Sequence, residues 1–303
     1  MVSGPAAAYI FDPPSHAIRA VIGALGSAWL GPAAIQSLDR AWVAPGRDYA
    51  VALRQGQVWL ISNLSSAQPV VSPLPATVAY PEAAVWSDDG STVVLSSRRG
   101  NWIQTLTGLP GSVQATEAVS FDATGGALAD VAVSARGDRV AVALTGTGAY
   151  LLGSSGLVQL FASQAPAALT FSGDANTLYV LDGLSSAVTE IHLADGSSAT
   201  WDPGVDNAAA IRCARDANNR DVLYVAGRSS RMLALYDAAT HERLAAQPLA
   251  FEPDRIQSLG TQGFLLRQRN RRGEILWACT TGTTPAIYFI PAGGEPARKV
   301  EQQ

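Results

Sequence analysis

The chain of 303 residues is 48% hydrophobic and 15% charged, which excludes a disordered tail and suffices to bury a sizeable core. A net charge of −4 and a pI near 5.4 spread no basic field over the molecule, so nucleic acid is not an expected partner. No run reaches the roughly eighteen apolar residues that a spanning helix needs, so no membrane span is expected. Of the 21 basic residues only Lys299 is a lysine; the arginine bias suits a GC-rich coding sequence as well as an anion-recognising surface.

In chain order, "MVSGPAAAYIFD" shows no charged segment followed by a long apolar one. The compartment is left open, including a periplasmic or extracellular protein from which a signal has been removed. Residues 7–23 read as a hairpin, and "IFDPPSHAIRAV" parallels "LYDAATHERLAA" further along. The hairpin is expected to pack against a C-terminal unit, residues 254–292, and close the chain into one domain spanning 1–303. "AAIQSLDRAW" is the nearest approach to helical apolar spacing; elsewhere that spacing is missing.

From Arg40 onward the sequence repeats. Six segments begin at Arg40, Ala83, Asp130, Ala168, Ala210 and Arg255, with starts 43, 47, 38, 42 and 45 residues apart. Each opens with a short apolar strand and a tight turn ("PGRD", "SDDG", "ARGD", "SGDAN"), where residues that tolerate positive φ are needed. A Val/Leu/Tyr-rich second strand, a polar loop, an alternating third strand and a weaker fourth follow. Second strands such as "TVVLSS", "RVAVAL", "TLYVLD" and "VLYVAG" are apolar on both faces, as expected of strands sandwiched between neighbouring sheets.

The pattern predicts an all-β fold, a β-propeller of four-stranded blades with six complete repeats plus an N-terminal hairpin, or seven blades if that hairpin completes one. "TLYVLDGLSSAVTEIHLADGSS" and "VLYVAGRSSRMLALYDAATHERLA" resemble the YVTN-type propeller repeat over residues 168–246. "FSGDANTLYV" and "WSDDGSTVVL" resemble the Ser-Pro-Asp-Gly turn of WD-repeat propellers, with the proline missing. The resemblance implies a bladed fold. It carries no activity, since such proteins range from lactonases to scaffolds.

Catalytic signatures are sparse. His16, His192 and His241 stand apart, and His16 and His241 occupy matching turns, so repeat position accounts for both better than metal binding does. Cys213 and Cys279 lie in apolar runs and are expected to be buried, inert thiols. "DANNRD" (216–221) lacks the glycine and terminal glutamate of a calcium loop and reads as an elongated turn. "GTG" (146–148) precedes no helix, no Gly-x-Ser-x-Gly elbow occurs, and adjacent Asp88 and Asp89 sit in a turn. No catalytic residue, metal or cofactor is assigned. Paired carboxylates contributed by different blades stay open.

The loops between second and third strands share one face of a propeller with the loops between blades. They carry Arg54, Arg98, Arg99, Arg228, Arg231, Arg267, Arg269, Arg271 and Arg272, with four arginines inside "RQRNRR" alone. Convergent guanidinium groups suit carboxylate, phosphate or sulfate. The inter-blade loops of the same face hold Glu82, Glu117, Asp122, Asp202, Asp206, Glu252 and Asp254, which could pair the arginines off into a neutral, solvated rim. Three functions follow: a non-enzymatic binding or scaffold module taking a protein or anionic ligand on the Arg-bearing face, an enzyme of the lactonase or lyase type with its active site at the central funnel, or a structural spacer.

Overall fold

The computed structural model describes residues 6–76, 78–154, 156–260, 263–268, 276–280 and 285–291. Seven antiparallel sheets follow one another along the chain, each built from consecutive strands. Their first strands are Ala6–Asp12, Arg40–Val43, Ala83–Trp86, Ala127–Val133, Pro166–Phe171, Ala208–Arg215 and Pro253–Leu259, which number blades one to seven. The last six begin within three residues of the repeat starts read from the sequence. Five sheets have four strands. Blade three splits its outer position into Gln114–Ala115 and Val119–Ser120, and blade one shows three strands among the described residues. Among the described residues helix is confined to two single turns, Leu25–Ser27 and Asp122–Thr124. "AAIQSLDRAW" divides into the end of one strand, a turn and the start of the next.

Alternation within the second strands explains the ring. In blade six (Asp221–Gly227), Leu223 and Val225 join a cluster with blade five residues Tyr179 and Leu181, while Val222, Tyr224 and Ala226 join Phe264 and Leu266 of blade seven. Period-two side-chain geometry sends successive residues to opposite faces, so a strand apolar on both faces must have a sheet on each side. Seven such clusters occur, one at each blade interface. Each fully buried Leu, Ile or Val in them contributes about 1.5–3 kcal/mol.

Blade one departs from the sequence parallel. "IFDPPSHAIRAV" resembles the outer half of a repeat, yet Ala6–Asp12 is the innermost strand of its blade, in contact with the first strands of blades two and seven. The likeness is one of turn geometry: His16 and His241 both adopt left-handed backbone, with φ of 50° and 59°. Ile10, Val21 and Leu30 then pack with Leu259, Leu265 and Ile290 of blade seven, and the Leu30 N–H donates to the Pro291 carbonyl at 3.1 Å.

In blades three to six the first strand ends in a turn built on a buried side chain. Ser87, Ser134 and Ser172 each accept the N–H of the residue five ahead, at 3.0 Å, and donate to Asp89, Asp138 and Asp174 at 2.6 Å. In blade six Asp216 takes the serine's place and accepts the N–H groups of Asn218 and Arg220, which makes "DANNRD" an elongated turn.

Candidate anion-binding channel

The first strands surround a central cavity of about 540 Å³ lined by residues of all seven blades. Five of them carry one extra residue near the Arg-bearing end, a bulge between Ala6 and Ala8, Leu128 and Asp130, Pro166 and Ala168, Ala208 and Ala210, and Pro253 and Arg255. A bulge re-aims the side chains beside it. In blades five and six the extra residue and its successor are alanines, Ala167–Ala168 and Ala209–Ala210, which leave the channel open. Blade four places Asp130 after the bulge, and blade seven places Asp254 and Arg255 there.

Among the described residues five arginines line this cavity, Arg98, Arg212, Arg228, Arg255 and Arg267, against the two carboxylates Asp130 and Asp254. Arg228 pairs with Asp254 across the blade six–seven boundary at 2.5 Å. Arg212 reaches from blade six to Asp88 in the first turn of blade three at 2.6 Å, and also donates to Ser258 at 3.2 Å. In both residues the Nε–H is buried with no hydrogen-bond partner among the described residues. Arg267 donates through Nε to Gln257 at 2.6 Å. Arg255 has no ion pair or hydrogen bond among the described residues; it also lines the recess formed by Glu82, Arg98 and Asp130, on the far side of the ring from its own blade.

Electrostatics bind this group together. Burial, and then the neighbouring Arg255, push the pKa of Arg267 below the usual arginine value. Asp130 is set deep in the ring, where loss of water pushes its carboxyl up against the opposing pull of Arg255, the Leu169 N–H and Arg98. The Leu169 N–H donates to it at 3.0 Å.

The rim arginines fare differently. The Arg98 and Arg99 N–H groups donate to Glu82 at 2.8 and 3.2 Å, and the Arg99 side chain lies 3.3 Å from the same carboxylate. Arg231 approaches Glu252 at 3.7 Å, and Arg54 is exposed without an ion pair among the described residues. Acidic inter-blade residues thus partner Arg99, Arg228 and Arg231, while Arg98 and Arg267 turn to the channel. Arg269, Arg271 and Arg272 lie outside the described residues. Loop position could not reveal Asp130, Arg212 and Arg255, which stand on inner strands; the signal available was a charged residue inside a first strand.

None of the three histidines lines the channel. His16 Nδ1 lies 3.0 Å from the Leu38 carbonyl, whereas His241 and His192 flank Glu190 at 3.0 and 3.4 Å, away from the axis. Among the described residues no group of three His, Cys, Asp or Glu is placed to hold a metal. Both cysteines are buried, and burial pushes the Cys279 thiol to about 12 and that of Cys213 higher, which suppresses the reactive thiolate. No helix among the described residues is long and apolar enough to cross a membrane.

No protein-family model matches the chain, and no curated protein is significantly similar to it in sequence. Solved structures share its fold. A candidate 6-phosphogluconolactonase of Bacteroides fragilis aligns over 97% of both chains, with a TM-score of 0.64 and 13% identity. The WD40 repeats of RRP9 align over 86% of this chain and 82% of that one, with a TM-score of 0.61 and 14% identity. Hsv2 of Kluyveromyces lactis covers 92% and 93%, at 0.55 and 12%. At these identities the likeness is to the bladed architecture shared by WD-repeat proteins, and function must be argued from the site.

Proposed function

We propose that this propeller is a non-enzymatic binding module that receives the acidic surface of a protein partner on its Arg-bearing face, centred on the channel mouth. The observation that carries the reading is the charge imbalance there: among the described residues five arginines line one cavity against two carboxylates, with Arg212 paired to Asp88 outside that lining. A chain with net charge −4 that concentrates positive charge at one opening focuses its field on that opening and steers acidic partners to it. The ion pairs of Arg99 and Arg231 do not oppose this, because exposed pairs are held by about 0–1 kcal/mol and exchange partners readily.

The test uses a fluorescein-labelled oligo-glutamate peptide and its anisotropy. Binding should weaken as salt rises, and the triple change of Arg54, Arg98 and Arg231 to serine should reduce affinity about tenfold with the melting temperature unchanged. Equal affinity in the variant and the parent would sink the proposal. A lactonase-type enzyme with its active site at the funnel is the second reading, although none of the three histidines lines that cavity. Its fold-level precedent is the Bacteroides neighbour.

A further inference from the structure

The pairing of strands in blade seven sets a problem that the rest of the ring does not. Arg255 on the first strand and Arg267 on the second are direct cross-strand partners. Like charges opposite one another repel, and here the repulsion is felt inside a cavity rather than in bulk water. Gln257 accepts one hydrogen bond from Arg267, and a neutral amide cannot offset a charge. The arginine beside the mouth in blade three, Arg98, adds a third guanidinium whose side chain has no ion pair among the described residues. The side chains of Arg228 and Arg212 line the same cavity, and the Nε–H of each is buried without an acceptor among the described residues.

Among the described residues two carboxylates share the recess with Arg98 and Arg255: Glu82, which is engaged by the Arg98 and Arg99 N–H groups and the Arg99 side chain, and Asp130; Asp254 is engaged by Arg228. Asp130 already spends one oxygen on the Leu169 N–H. The rest of the recess wall is apolar apart from Ser96, with Ala83, Val85, Leu128, Ala129 and Val131. An arrangement of this kind is completed by a ligand with several acceptor oxygens and more than one negative charge. Donors that approach from blades three, six and seven fit a tetrahedral oxyanion better than a flat carboxylate, whose acceptors lie in one plane.

We propose that the channel holds a tetrahedral oxyanion of the phosphate or sulfate kind between Arg255 and Arg267, opposite Arg98 and Asp130. This rests on the reading of the Arg-bearing face as an anion-receiving surface and names the ligand class of its deepest part. At about 540 Å³ the cavity exceeds the size of the ion, so the oxyanion can be free or can terminate a small organic ester. Asp130 tunes the site. Ionised, it competes with the ligand for Arg255 and Arg98; protonated, it stops competing and offers a donor.

Isothermal titration with inorganic phosphate, sulfate, glycerol phosphate and acetate, at ionic strength matched with chloride, tests the assignment. Phosphate and sulfate should bind and acetate should not; tighter binding of glycerol phosphate than of inorganic phosphate would identify an ester as the source. Arg255→Gln should weaken sulfate about tenfold or more, and Asp130→Asn should tighten it about threefold or more. Sulfate keeps its charge on mild acidification, so its affinity in the parent protein should rise as Asp130 takes up a proton above the ordinary carboxylate value of 3.8, and that rise should vanish in Asp130→Asn. Sulfate and phosphate binding that is absent, or equal in the parent and both variants, would overturn the proposal. Should the oligo-glutamate peptide still bind in that case, the oxyanion site alone has failed; loss of both would remove the underlying reading too.

Discussion

Ser172 shows how much one small side chain does in this fold. Its hydroxyl accepts the Thr177 N–H at 3.0 Å and donates to Asp174 at 2.6 Å, closing the turn that joins the first two strands of blade five. Ser172→Ala leaves the Thr177 N–H buried without a partner and should cost about 1–3 kcal/mol in urea unfolding. The hydrogen bond from Ser172, followed by the Asn176 N–H, holds the Asp174 carboxyl below its ordinary 3.8. A depressed carboxylate stabilises the fold fully above that value and loses the contribution as pH falls through the lowered pKa. The alanine variant should therefore lose stability at neutral pH and show less additional loss on acidification than the parent. Parallel pH profiles would contradict this account. The turn was legible as "FSGDANT", but the serine's double role was not, because sequence shows the residue types of a turn and not which of them is buried. The candidate site divides in the same way. Arg98 and Arg228, in loops, and Arg267, at the end of the strand leading into one, could be found because propeller geometry gathers those loops on one face, whereas Arg255 and Asp130 became visible only once the bulges had turned them inward.

At the scale of single elements, the spacing of apolar residues was the strongest signal, since second strands buried on both faces leave almost no freedom in sheet position. The third-strand hairpin of blade four is a place where backbone conformation decides instead. Gly148 opens the strand Gly148–Gly153 at φ +135°, and a Cβ there would lie 2.0 Å from the Phe161 carbonyl oxygen of the adjacent outer strand. The "GTG" of this loop is thus a steric requirement. Gly148→Ala should destabilise the protein by about 2–4 kcal/mol, as strained backbone and a displaced neighbouring strand act together. Gly125→Ala is the matched control: φ is +72°, yet nothing stands within 4 Å, so it bears the strain of the left-handed backbone alone and should cost about 1 kcal/mol. Equal melting temperatures for the two variants would show that close approach adds nothing at Gly148.

At the scale of the molecule the question is how a chain of near-identical units ends. An open array of sheets exposes an apolar face at each end and tends to lose cooperativity with length, whereas a ring leaves none exposed. Blade one is the unit least visible in the sequence, because its turn imitates an outer hairpin while its first strand, "AAAYIFD", does the work of an inner one. Its contact with blade seven is nonetheless packed like the others: Ile10, Val21, Ala28 and Leu30 meet Leu259, Leu265, Ala278 and Ile290. If the junction is equivalent to an internal interface, Leu265→Ala (3% exposed) and Leu223→Ala at the blade five–six interface (fully buried) should each cost about 2–5 kcal/mol. Both should retain a single unfolding transition, with far- and near-ultraviolet circular dichroism coincident. A closure weaker than the internal interfaces behaves otherwise: Leu265→Ala would unfold in two steps, blades one and seven first, while Leu223→Ala stayed cooperative. A single transition in both variants makes the ring, rather than the blade, the unit of stability, and it ties the channel charges of blades three, four and seven to the integrity of every interface between them.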